Sequence, residues 1–166
     1  MNPWGWLLLA YIAVVTVPLV AIDLRSRRMP NRLVMPGYLV AIVSLILVWA
    51  TDGEFSETAT PAAILSVELT ALISGAAYIL FLLLLSIAGG MGMGDVKLAG
   101  VLGVAAGLLG PSVAVLSPLL AFGVGGLASA VILITRRGTR ASRIPFGPFM
   151  LLGFWIAVAL GLFLPR

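Results

Sequence analysis

Gly89-Gly90-Met91-Gly92-Met93-Gly94-Asp95-Val96-Lys97-Leu98 is the stretch that decides the fold. It sets four glycines within six residues, followed by a carboxylate, between two long apolar runs. Such a glycine cluster predicts a turn between two helices. Neither turning nor packing explains the carboxylate, and Asp95 is one of only six acidic residues in the chain. Asp95 is therefore the first candidate for chemistry.

The composition predicts a membrane protein. The chain has 166 residues, of which 61% are hydrophobic and 10% charged, and its mean hydropathy is +1.19. A soluble domain of this size could not bury that much apolar surface, so lipid must cover part of it. The length favours a single transmembrane domain over residues 1–166. Without cysteine or histidine we expect no disulfide, no metal and no cofactor.

Six apolar runs predict an all-α polytopic membrane bundle of six transmembrane helices. The fourth run is short, because Asp95 to Gly110 gives roughly 24 Å of helix against a hydrocarbon core of ~30 Å. Small residues recur along it (Ala99, Gly103, Ala106, Gly107), so we expect close backbone contacts and a central place in the bundle. The six runs cover residues 4–22, 33–50, 62–87, 96–110, 112–135 and 146–164.

The basic residues predict which helix ends share one side of the membrane. Nine of the ten lie in the first, third and fifth loops, and the intervening loops hold none. The positive-inside rule then places these loops in the cytoplasm and both termini outside, and it explains the net charge of +4 without nucleic acid. Asp23, which closes the first run, and Asp95 consequently lie on the same side. The nine are Arg25, Arg27, Arg28, Arg32, Lys97, Arg136, Arg137, Arg140 and Arg143.

Two carboxylates that lie close together can perform acid–base chemistry. They cannot both ionise at low cost, so such a pair tends to share one proton. The ionised member takes a proton from water, and the neutral member donates a hydrogen bond to the carbonyl oxygen under attack. Because Asp95 begins a helix and Asp23 ends one, the helix dipoles favour Asp95 as base and Asp23 as acid. Each also has an ordinary explanation, as an interfacial charge beside an arginine or as a residue of a helix start.

Three motifs resemble one family. Gly92-Met93-Gly94-Asp95 matches the GxGD signature of intramembrane aspartyl proteases, and Gly90 to Leu98 closely resembles the type IV prepilin peptidases. Ala21 to Asn31 is similar to the first aspartate segment of that family, with a basic, Pro-Asn-containing turn after the aspartate. Ile144 to Phe149 resembles its late Pro-Phe-Gly-Pro segment. The motifs occur in the family's order on six apolar runs.

The resemblance implies a membrane-embedded aspartyl endopeptidase with Asp23 and Asp95 as its catalytic residues. Its partner would be a type IV pilin-like precursor, whose short basic leader stays in the cytoplasm before a hydrophobic helix and is cut after a small residue. The enzyme would sit in the prokaryotic inner membrane with its site toward the cytoplasm. Larger members carry an N-terminal cysteine-containing segment and also methylate the product, so we expect cleavage without methylation here. The predicted substrate-binding residues are Gly92, Gly94, Lys97, Pro145, Phe146 and Gly147.

Some of these residues also have structural explanations. Lys97 can act as a cytoplasmic anchor of the fourth helix rather than as a partner of Asp95 or of the substrate. Pro145 to Pro148 can line the substrate path or only set the start of the last helix.

Two other functions remain consistent with the sequence. A small transporter could use Asp23 and Asp95 as a proton or cation site, which predicts flux coupled to a pH gradient and a carboxylate near the bilayer midplane. A non-catalytic pilus-assembly protein has the same membrane layout, but it would keep its activity without either aspartate. A phosphotransfer enzyme is disfavoured, because the chain has no Asp-rich run to hold Mg²⁺.

Overall fold

The computed structural model describes residues 4–26, 29–55, 66–89, 91–135 and 145–163. In this part of the chain the structure consists of six helices and contains no strand. The prediction of an all-α bundle of six helices is confirmed. The helices are α1 (Gly5–Ser26), α2 (Asn31–Phe55), α3 (Val67–Ile87), α4 (Met93–Leu109), α5 (Pro111–Ile134) and α6 (Gly147–Phe163).

The lengths of the helices fit a membrane protein. Four of them, α1, α2, α3 and α5, are long and apolar enough to cross a bilayer. The other two, α4 and α6, have 17 residues each, which corresponds to about 26 Å of helix. Large apolar side chains such as Val14, Trp49 and Leu119 are exposed on the outside of the bundle. That surface suits lipid, because an apolar side chain loses nothing by facing hydrocarbon.

Two helix boundaries differ from the apolar runs in a way that affects the site. The first helix continues past the run that ends at residue 22 and stops at Ser26, so Asp23 lies inside its last turn. The fourth helix begins at Met93, so Asp95 is its third residue. Hydropathy misses these turns because they are polar, whereas a helix end is set by its backbone hydrogen bonds.

The fourth helix occupies the centre of the bundle, as its small residues predicted. It contacts each of the other five helices. Of its 17 residues, 13 are buried, on all sides of the helix. In a bundle whose outer helices face lipid, this position removes α4 from the surface and brings its N-terminal turn under the surrounding helices.

Glycines bring α4 into backbone contact with α3. The Ser74 hydroxyl donates a hydrogen bond of 2.7 Å to the Gly103 carbonyl oxygen. A Cβ atom at Gly103 would lie 2.8 Å from both the Gly75 Cα and the Ser74 carbonyl oxygen, so no side chain fits there. Close approach of this kind is how small residues stabilise helix pairs in membranes.

We expect Gly103→Ala to destabilise the bundle by about 1–3 kcal/mol, the usual cost of overpacking. Its added methyl would meet backbone atoms of α3, which cannot move without shifting the helix. The matched control is Gly126→Ala in α5, where a Cβ meets nothing within 4 Å. Thermal unfolding in detergent measures both, and equal melting temperatures for the two variants would contradict the packing described here.

The two aspartates lie at the same end of the bundle. At that end α1 stops and α2, α4 and α6 begin. At the opposite end the Trp4 indole N–H donates a hydrogen bond of 3.0 Å to the Thr51 hydroxyl, which ties the start of α1 to the end of α2. Which end faces the cytoplasm stays a prediction. Six of the basic residues on which it depends lie outside the described residues, namely Arg27, Arg28, Arg136, Arg137, Arg140 and Arg143.

Candidate active site

A cavity of about 330 Å³ opens at the end of the bundle where α1 stops and α4 begins. Asp23 and Asp95 both line it, although they come from different helices. Both side chains are buried, with 4% and 9% of their surface exposed. The described residues that line this cavity are Asp23, Met29, Asn31, Gly92, Met93, Gly94, Asp95 and Lys97.

The glycine turn fixes the carboxylate of Asp95. Gly92 caps α4 with an extended backbone, and Asp95 is the third residue of the helix. From this position its carboxylate lies beside Gly92, because a Cβ there would be 3.5 Å from Asp95 Oδ2. An acidic residue at this place in the first turn is the one that can reach back to the N-cap in a capping box. The first turn of a helix also stabilises negative charge, so the motif holds an acid at a defined place.

A second helix N-terminus holds Asp23. Gly147, the first residue of α6, lies against the Asp23 carboxylate, because a Cβ on it would be 2.8 Å from Oδ2. Asp23, which belongs to α1, thus lies at the N-terminus of α6, where backbone N–H groups are not used within the helix. Its other feature is a buried oxygen, Oδ2, that has no hydrogen-bond partner among the described residues. A buried acceptor without a partner costs free energy, so this oxygen is suited to bind a water or a substrate group.

The position of Asp23 changes the expected division of roles between the two acids. The sequence places Asp23 near the C-terminal end of its own helix, which disfavours the anion. In the structure the N-terminus of α6 also faces this carboxylate, and a helix N-terminus favours the anion. Helix dipoles therefore do not by themselves distinguish base from acid, and the assignment of Asp95 as base and Asp23 as acid stays a prediction.

Lys97 and Asn31 form the rim of the cavity. The Lys97 ammonium donates a hydrogen bond of 3.2 Å to the Asn31 side-chain oxygen. About two turns further on in α2, the Tyr38 hydroxyl donates a hydrogen bond of 2.7 Å to the Lys97 carbonyl oxygen. The two bonds hold the start of α4 against α2. The structure therefore gives Lys97 partners in α2 and leaves its ammonium beside the cavity, and its role toward a substrate stays a prediction.

The residues of the late motif lie in two different surroundings, some at the site and some between the helices of the bundle. Gly147 lies directly against Asp23 and Met29, with no room for a side chain. Phe146 instead packs its ring on Phe122 of α5, with ring centroids 4.9 Å apart. Neither Phe146 nor Pro145 is among the described residues that line the cavity. The motif thus places the N-terminus of α6 at Asp23, and its phenylalanine docks α6 on α5.

Comparison with known proteins identifies the family of this chain. A family model for the type IV leader peptidase family matches residues 7–165, a range that contains all the described cavity-lining residues. The chain belongs to the type IV leader peptidase family. The resemblance carried by the three sequence motifs is thereby confirmed at the level of the family.

One curated relative of this leader peptidase family member is the prepilin leader peptidase/N-methyltransferase of Pseudomonas putida. The two are 32% identical over 162 residues, which is 97% of this chain and 49% of the relative. The chain therefore spans about half the length of the curated relative it matches. No solved structure matches the chain.

Sequence reasoning missed Met29, Asn31 and Met93 as residues of the site. Asn31 carried a detectable signal, because it is a polar residue directly after Pro30 in the first aspartate motif. Met29 and Met93 carried none, because an apolar residue in an apolar chain indicates packing and not a site. Their place in the cavity follows from how α1, α4 and α6 pack together.

Proposed function

We propose that this leader peptidase family member is a membrane-embedded aspartyl endopeptidase. It removes the leader of type IV pilin-like precursors at the cytoplasmic face of the membrane. The observation that carries the proposal is the pair Asp23 and Asp95, two buried carboxylates from separate helices on the wall of one cavity. Structural ion pairs do not explain them, since neither forms a salt bridge with a described residue.

The pair can hydrolyse a peptide bond without any other group. One carboxylate is ionised and takes a proton from a water molecule, whose oxygen then attacks the carbonyl carbon. The other is protonated and donates a hydrogen bond to the carbonyl oxygen, as in the aspartic proteases. The C–N bond then breaks and a carboxyl group donates the proton that the leaving nitrogen takes up. The products are a leader with a new carboxylate and a shortened protein with a free amine.

The backbone N–H groups of Gly92 and Gly147 support this chemistry by orientation. Each glycine lies beside one of the two carboxylates, and each belongs to a helix N-terminus that is fixed by packing. Fixed donors of this kind cost no reorganisation when the reaction occurs. The second oxygen of Asp23 remains available to the water or the carbonyl, because no described residue binds it.

The relative from Pseudomonas putida supports a prepilin leader as the substrate. The proposal covers leader removal alone, because this chain matches about half of a relative whose name includes a second activity. A membrane-embedded site suits such a substrate, since the helix after the leader can lie in the bilayer while the leader reaches the cavity.

A proton- or cation-coupled transporter is the second candidate. An intramembrane carboxylate is a common feature of the ion or proton path in such proteins. In this structure, however, both carboxylates lie where helices begin or end, at one end of the bundle. A binding site for transport is typically near the bilayer midplane, at broken helices. The geometry therefore favours hydrolysis at one face.

The deciding experiment uses the purified chain in proteoliposomes with a precursor that has a basic leader followed by a hydrophobic helix. Mass spectrometry should find one cut, with a free amine on the long fragment and a carboxylate on the leader. An uncut precursor together with flux driven by a pH gradient would instead establish the transporter. An uncut precursor without flux would leave the non-catalytic assembly role.

The cytoplasmic position of the site has its own test, because the natural chain contains no cysteine. Met93→Cys places a thiol on an exposed residue of the cavity, and Ser66→Cys places one at the start of α3, at the opposite end. A membrane-impermeant maleimide should label position 66 in intact cells and position 93 only in inverted vesicles. The reverse pattern would place the site on the outer face.

A further inference from the structure

Met29 occupies the gap between the two motif glycines next to the aspartates. It lies in the turn between α1 and α2, and it is half-buried. A Cβ at Gly94 would come within 2.6 Å of the Met29 Cβ and 3.4 Å of its backbone nitrogen. At the other end of the side chain, the Met29 Cε lies so close to Gly147 that a Cβ there would overlap it.

The Met29 side chain therefore extends from Gly94, in the segment that carries Asp95, to Gly147, which lies beside Asp23. Gly94 precedes Asp95, and a Cβ on Gly147 would lie 2.8 Å from the Oδ2 atom of Asp23. The unpartnered oxygen of Asp23 and the end of the Met29 side chain thus face the same small space. Any group that Oδ2 binds must share that space with Met29.

Hydrolysis by an aspartate pair restricts where the substrate can lie in this space. The carbonyl carbon under attack must lie between the two carboxylates, within reach of both, as the chemistry of such a pair requires. The Cα atom of the same residue is one covalent bond away, ~1.5 Å. Its side chain therefore starts close to the space that the Met29 side chain occupies beside Asp23 Oδ2.

We propose that Met29 sets an upper limit on the size of the substrate residue whose carbonyl is attacked. The residue immediately before the scissile bond must then be small, because the Met29 side chain takes the volume that a larger one needs. The proposal rests on the proposed peptidase function. It adds a specificity-determining residue to it and assigns Met29 no part in the chemical step.

A competition assay tests this directly. Two precursors that differ only in the residue before the cut, one with Gly and one with Leu, are mixed with the chain in proteoliposomes. The ratio of their initial cleavage rates equals the ratio of their kcat/KM values. The wild type should prefer Gly, and Met29→Ala should shift the ratio toward Leu by about tenfold or more, the size of effect that a change in pocket volume produces. For a precursor with Ala before the cut, Met29→Ala should change the cleavage rate relative to the Gly precursor by a smaller factor.

Controls separate specificity from folding. Met35→Ala removes a methionine from the exposed face of α2 and should leave the ratio unchanged. Met29→Val keeps an apolar residue in the turn but cannot reach Gly147, so it should shift the ratio in the same direction if Met29→Ala accumulates poorly. Met29→Leu should resemble the wild type.

Two results would overturn the size limit. The first is equal cleavage of both precursors by the wild type. The second is an unchanged ratio in Met29→Ala and Met29→Val, whether or not the variants slow both cuts alike. Failure of the wild type to cut any precursor would refute the proposed peptidase function instead, so the two failures are distinguishable.

Discussion

Asp23→Asn and Asp95→Asn should each reduce leader removal by about 10²- to 10⁴-fold, the usual contribution of a general acid or base. Asparagine has nearly the volume of aspartate, so the packing around both sites is kept and the protein should accumulate in the membrane as the wild type does. What it loses is the ability to give or take a proton. Initial rates with a defined precursor in proteoliposomes measure the effect.

The double variant gives the sharper result. Residues that act as one catalytic unit show strongly non-additive losses. We therefore expect Asp23→Asn/Asp95→Asn to be no slower than the worse of the two single variants, whereas independent roles would multiply the two losses. Glu68→Gln, at the start of α3 away from the cavity, is the matched control and should cleave at the wild-type rate. Substantial cleavage by either aspartate variant would contradict the proposal.

Gly94→Ala should lower kcat/KM by about 10²-fold, because a displacement near 1 Å at a catalytic group can cost that much. The new methyl would lie 2.6 Å from the Met29 Cβ and 3.0 Å from its Cγ, and these atoms are too near the backbone to move aside. Either the turn at Met29 or the first turn of α4 must shift. Both movements displace a carboxylate, since Asp95 follows directly and Asp23 lies next to Met29.

The comparison with Gly92→Ala makes the effect of Gly94→Ala specific. A Cβ at Gly92 would meet the Asp95 carboxylate oxygen at 3.5 Å and the Gly94 backbone nitrogen at 4.0 Å, which are ordinary contacts. Its backbone, with φ of −82° and ψ of 146°, is also open to any residue. Gly92→Ala should therefore be much milder than Gly94→Ala, although both glycines belong to the same motif. Equal losses would show that the motif acts through something other than the contact with Met29.

Hydropathy predicted most of the fold, for a physical reason. In a membrane each helix must satisfy its own backbone hydrogen bonds, so an apolar run of sufficient length can only be a helix. The central place of α4 was also predictable, because Gly103 and Gly107 permit backbone contact that larger residues prevent. The exact ends of α1 and α4 were not, since polar residues such as Asp23 and Asp95 lie inside helical turns that hydropathy does not detect.

The site was predictable only in part. A scarce carboxylate next to a glycine turn identified Asp95, and the side assignment by basic residues brought in Asp23. The contact between Gly147 and Asp23 could not be predicted, because it depends on how α6 packs beside α1. Met29 gave no chemical signal, and its place next to both aspartate segments depends on the absence of side chains at Gly94 and Gly147. Sequence motifs indicated the reacting groups, whereas tertiary packing determines what surrounds them.

The most direct test of the central claim is a cross-link between the two aspartate positions. The chain has no cysteine, so Asp23→Cys/Asp95→Cys introduces the only two thiols. In native membranes a short bifunctional thiol reagent should join them, and mass spectrometry should recover the linked peptides. Asp23→Cys/Thr51→Cys, with thiols at opposite ends of the bundle, should remain unlinked. If each single cysteine reacts but the pair at 23 and 95 stays unlinked, the two acids do not share a cavity.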